Sequence, residues 1–154
     1  MGLREQFNEQ MKEAMKAKDT RRLSTLRMIL AALKDKDIAN RTETSREGIS
    51  DDDVLGLLAK MIKQREESAI AFDTGARPEM AKSEREEIEV IRSFMPKQMS
   101  DEESKAAVQA VIAEIGAVSI KDMGKVMAAL KERYAGQMDF AKASGMTKEL
   151  LSGK

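Results

Sequence analysis

The 154-residue chain contains neither cysteine nor histidine. The first absence excludes disulfides and thiol chemistry. The second removes the commonest general base and the commonest transition-metal ligand together. Rings are scarce as well: Phe7, Phe72, Phe94, Phe140 and Tyr134 are the full set, so stacking of successive single-stranded bases has no platform. Prolines are limited to Pro78 and Pro96. No stretch reaches the length of a membrane span, and no membrane contact is expected. The opening residues carry no apolar run of a signal peptide. Gln6 stands where a myristoylation signal has Ser or Thr. The cytosol is the expected compartment.

What is present favours helices. Apolar residues make up 42% of the chain, and Met, Leu, Ile, Val and Ala must fill the core in place of rings. Strong helix formers dominate. Formal charge is balanced at 27 basic against 27 acidic residues, so no global basic field announces a nucleic acid. Locally the balance shifts. Residues 1–41 hold 10 Lys/Arg against 6 Asp/Glu, residues 42–99 hold 9 against 13, and the remainder is even. A basic first region beside an acidic middle points to internal pairing.

The periodicity predicts a first helix over about Leu3–Lys16, with Leu3, Phe7, Met11 and Met15 as its stripe. Asp19 caps a second, reaching about Asn40, with Leu23, Leu26, Ile29, Leu30 and Leu33 on its main face. Its apolar arc also takes in Met28, Ala31 and Ala32, which suits a central helix or one buried in a dimer. Asn40–Ser50 reads as a loop. Ser50 opens a third helix carrying Val54, Leu57, Leu58, Met61, Ser68, Ala69 and Phe72, and Gly75 ends it. Pro78 fits the first turn of a fourth, with Met80, Ile88, Ile91 and Met95 as its stripe. Pro96 marks a boundary.

Beyond the boundary, Ser100 and Glu103 form a capping box for a fifth helix. Its core face is Val108, Val111, Ile112 and Ile115, and Gly116 stops it. Ser119 and Asp122 open a sixth with Met123, Val126, Met127, Leu130 and Tyr134, ended by Gly136. Asp139 caps a last helix reaching Leu151, weakened inside by Gly145. The expectation is an all-α protein: a bundle of about four helices over residues 1–96, then a small three-helix domain over residues 97–154.

Candidate chemistry is sparse. Asp51, Asp52 and Asp53 are either a hard-cation site or, as preferred, charges complementing a helix N-terminus. Arg65 shares a face with Met61 and falls near Glu84–Glu87 in a hairpin turning at Gly75. It reads as an interhelical ion pair before a phosphate site. Gly124 and Ala128 lie one turn apart, framed by Lys121, Lys125 and Lys131. Small residues there let a second helix, the reading preferred from the residues alone, or a phosphate backbone approach closely. Catalytic residues, metal and cofactor are expected to be absent.

Four segments carry a family resemblance. Residues 26–34 (LRMILAALK), 60–68 (KMIKQREES), 94–100 (FMPKQMS) and 121–127 (KDMGKVM) resemble, in order, the signatures of the YqeY-like family, and the likeness covers about residues 3–151. The resemblance implies a helical bundle followed by a domain similar to the tail of the B subunit of the tRNA-dependent amidotransferase. In that enzyme the tail is associated with tRNA, whereas ligation with glutamine as amide donor resides elsewhere. The residues here supply no mechanism for a carbon–nitrogen ligase. The implied function is therefore a non-catalytic tRNA- or RNA-associated accessory protein. Lys121, Gly124, Lys125 and Lys131 would meet a structured RNA backbone, with Arg27 and Lys34 extending the basic surface. The alternative is a helical protein–protein adaptor in translation with no direct RNA contact. The last helix, Phe140 to Gly145 at its start, departs from the family pattern.

Overall fold

The computed structural model describes residues 2–42 and 47–152. Residues 43–46, inside the expected loop, lie outside the described residues. Everything regular among the described residues is helical. The chain divides into two compact units, Met1–Met95 and Pro96–Lys154.

The first unit holds α1 (Leu3–Ala17), α2 (Thr20–Ala39), α3 (Asp51–Thr74) and α4 (Pro78–Arg92). The start signals work as their chemistry requires. The Asp19 carboxylate accepts the Arg22 N–H at 3.1 Å and the Ser50 hydroxyl accepts the Asp53 N–H at 3.2 Å. Pro78 occupies the first turn of α4, where its missing N–H costs nothing. α3 and α4 form a hairpin, and α2 packs on α1, α3 and α4. That position buries Leu26, Ile29 and Leu33 and partly covers Met28 and Ala32, while Ala31 is exposed. Phe7, Leu26, Ile29, Val54, Leu58 and Ile91 are fully buried. Phe7 meets Phe94 edge-on, with centroids 4.8 Å apart, and the Arg22 guanidinium lies 5.9 Å from the Phe94 ring.

Three side chains expected in cores point outward. Met15 is 55% exposed and Ala14 is buried in its place. A four-residue repeat gains about 40° per step on a helix of 3.6 residues per turn, so by its fourth member the stripe has rotated out of the core. Met80 is 45% exposed, and Ala81 takes its inward position, because the eight residues from Met80 to Ile88 overshoot two turns. Ile115, in the last turn of the fifth helix, is exposed beside the buried Ile112.

The polar expectation in the hairpin holds. Arg65 Nε donates to Glu87 Oε2 at 3.1 Å, and its Nη1 donates to the Met61 carbonyl. Both side chains are largely covered, so the guanidinium serves the bundle. Glu84 beside them is pushed up from the usual carboxyl range by burial, then by the Glu87 charge, against the pull of Arg65.

The second unit holds α5 (Asp101–Ile115), a 3-10 turn (Ile120–Asp122), α6 (Met123–Arg133) and α7 (Phe140–Ser152). The capping box is complete: Ser100 Oγ accepts the Glu103 N–H at 3.1 Å and Glu103 Oε1 accepts the Ser100 N–H at 3.2 Å. Gly116 closes α5 in the left-handed conformation, φ 76°, which glycine adopts without strain. α6 stops three residues before the expected Gly136, at Arg133. Val108, Val111, Val126, Leu130, Ala143 and Leu151 form the core.

Candidate nucleic-acid interface

The start of α6 is set by one carboxylate. Asp122 accepts N–H groups from Val118 at 3.0 Å and Ser119 at 3.4 Å. The Val118 bond leads, with Ser119 and the charge of Lys125 assisting, in holding its carboxyl below the usual range. From there the helical repeat divides α6 into two faces. Val126 and Leu130 are buried, with Met123 and Met127 partly so. Lys121, Gly124, Lys125, Ala128 and Lys131 line the other side, Lys121, Lys125 and Lys131 exposed and Gly124 open above its backbone.

The surroundings of Gly124 bear on the helix-packing reading of the small-residue pair. A Cβ built there would meet nothing within 4 Å, so no helix of its own unit packs against it. The three lysines have no carboxylate within salt-bridge range among the described residues, unlike two other bases of the unit. Arg133 holds Glu114 through two bonds of 2.6 and 2.8 Å, and Lys142 lies 3.6 Å from Asp101. The face is not purely basic, because the exposed Glu132 follows Ala128 by one turn.

The other two sequence candidates, Arg27 and Lys34, are exposed two turns apart on α2. They belong to the first unit, whereas the lysine frame belongs to the second. α7 packs on α6, with Thr147 Oγ1 3.8 Å from Met127 Sδ. Its Gly145 and Lys148 are exposed, and Gly145 also faces open space. Among the described residues, no three acidic side chains converge as a metal site. No helix of the described residues is long and apolar enough to cross a membrane.

Residues 4–151 match the sequence profile of the YqeY-like protein family. The chain is also similar to the Altered inheritance of mitochondria protein 41, mitochondrial, of Clavispora lusitaniae: 33% identity over 109 residues, covering 70% of this chain and 61% of that protein. The protein of the same name from Kluyveromyces lactis is 28% identical over 88 residues, covering 57% and 45%. The chain thus spans less than two thirds of the length of either relative.

Proposed function

The chain belongs to the YqeY-like family, and on that premise we propose that it is a non-catalytic accessory protein whose second unit docks on the backbone of a structured RNA such as tRNA. One observation carries the reading. Gly124, the second residue of α6, has open space above it and is framed by three exposed lysines that make no salt bridge among the described residues. A phosphate backbone approaching over Gly124 would pack closely there, while Lys121, Lys125 and Lys131 reach its oxygens.

The composition supports the same mode. With five rings in the whole chain, recognition by shape and charge is better served than base stacking. The absence of cysteine and histidine supports an accessory role over acyl-transfer chemistry. Likeness to the amidotransferase tail is consistent with a shared docking task and gives no reason to expect ligation by this chain.

Bulk tRNA titrated against the full chain across a salt series tests the reading. Micromolar binding that weakens steeply with salt is expected. Changing Lys121, Lys125 and Lys131 together to Glu should flatten the slope of log affinity on log salt by roughly 2–3, about one for each phosphate no longer neutralised. Unchanged affinity and slope in that variant would remove this face from consideration.

A further inference from the structure

A second surface lies within the first unit. α2 and α3 touch only sparingly, and two hollows of about 390 and 340 Å³ open between them. Both hollows are lined by Lys36, Ala39, Leu57 and Lys60, so they form one continuous groove. Beyond that shared stretch the walls are mixed, with Ile49 and Gly56 beside Asn40 and Asp53 in one hollow and Ala32 and Met61 beside Asp35 and Gln64 in the other.

Charge is distributed unevenly along it. Lys36 on α2 and Lys60 on α3 flank the shared stretch, both exposed, and neither has a carboxylate in salt-bridge range among the described residues. Five arginines of the same unit, Arg4, Arg21, Arg65, Arg85 and Arg92, do pair with carboxylates. The groove's own carboxylates, Asp53 and Asp35, each line only one hollow. The shared stretch therefore offers apolar surface between two positive charges.

Gly56 adds an independent observation. It lies inside α3, where glycine disfavours the helix, and a Cβ there would meet nothing within 4 Å. No neighbour inside the unit requires it, whereas an incoming backbone would use the space. From Asp53 to Gln64 the α3 wall runs about 16 Å at 1.5 Å per residue, or three helical turns.

We propose that this groove docks an acidic amphipathic helix of a protein partner. The partner's apolar stripe would lie over Ala39 and Leu57, and its flanking carboxylates would meet Lys36 and Lys60. Helices seat in grooves in this way through residues one turn apart. The lysine stems also cover apolar surface while their ammonium groups stay wet. A nucleic acid would use the two lysines and leave the apolar floor uncovered. The proposal stands apart from the RNA reading, which uses the second unit.

The probe is a fluorescein-labelled three-turn stapled peptide, with leucines at positions 1, 4 and 8 and glutamates flanking them. A control carries lysine for every glutamate. Anisotropy with the full-length protein should show salt-sensitive binding of the acidic peptide, with the basic one at least about tenfold weaker. Gly56→Leu, which fills the groove, and the pair Lys36→Glu with Lys60→Glu should each weaken the acidic peptide about tenfold. Neither should lower the melting temperature; if Gly56→Leu does, the lysine pair decides. Absence of binding, equal binding of the two peptides, or unchanged binding in folded variants overturns the proposal. So does displacement of the peptide by tRNA, which would reassign the groove to nucleic acid.

Discussion

Asp37 joins three parts of the first unit through one carboxylate. It accepts from Arg4 at 2.7 and 2.8 Å and from the Ile49 N–H at 2.9 Å. These bonds link α1, α2 and the segment leading into α3. The Arg4 bonds lead in lowering its carboxyl to about 2. A lowered carboxyl gives stability that is complete above its unfolded value and is lost as pH falls through about 2. Asp37→Asn should cost on the order of 1–2 kcal/mol at neutral pH, since charged hydrogen bonds are removed from a partly exposed site. Acid titration of the variant should lack the wild-type loss between about pH 4 and 2. Glu84 has the opposite sign. Its raised carboxyl means that the folded protein binds the proton more tightly, so this group favours folding increasingly as pH falls. Glu84→Gln should raise the melting temperature at neutral pH, and the gain should shrink as the wild-type carboxyl protonates. Equal melting temperatures at neutral pH would contradict the charge penalty assigned to this position. Gly48 belongs to the Asp37 node for a reason no turn rule supplies. A Cβ there would lie 2.5 Å from Arg4 Nη2 and 2.7 Å from Asp37 Oδ1, so the ion pair occupies the space of a side chain.

At the level of elements, the caps were readable because each is written in neighbouring residues. Asp19, Ser50, Ser100 and Asp139 all accept the N–H groups that their positions imply. Ser50→Ala should therefore cost about 1 kcal/mol in denaturant unfolding. Ser100→Ala should cost about as much, because it removes the hydroxyl half of the box while the Glu103 carboxylate still accepts the backbone N–H of residue 100. Stripes were less legible at their ends. Met15, Met80 and Ile115 match in residue type and approximate spacing, yet small residues such as Ala14 and Ala81 fill the inward positions. Hydropathy ranks a methionine above an alanine, whereas close packing between helix axes favours the smaller side chain. The Arg65–Glu87 pair was foreseeable, since a charge on an apolar stripe needs a partner on the facing helix. The 3-10 turn before α6 escaped notice because its i→i+3 bonding has no separate composition.

For the molecule as a whole, the sequence located the lysine frame of α6 but left open which way Gly124 faces. Helical phase alone does not say where neighbouring helices lie. The groove between α2 and α3 was invisible for a related reason: it arises from two helices separating, and separation leaves no residue pattern. Each unit has its own apolar cluster. A fragment of residues 97–154 should accordingly keep its helical circular dichroism and melt cooperatively. A featureless, non-cooperative melt would show that its core is insufficient alone.

The distribution of methionine has a chemical consequence. Methionine is the only sulfur-bearing residue in this chain, so mild peroxide has no thiol to attack and forms sulfoxides, at rates governed by access. Met15 and Met80 should oxidise first, while Met61 and Met138, 6% and 5% exposed, should resist until the fold opens. Peptide mass spectrometry of a peroxide time course would then report, methionine by methionine, where the native molecule admits solvent.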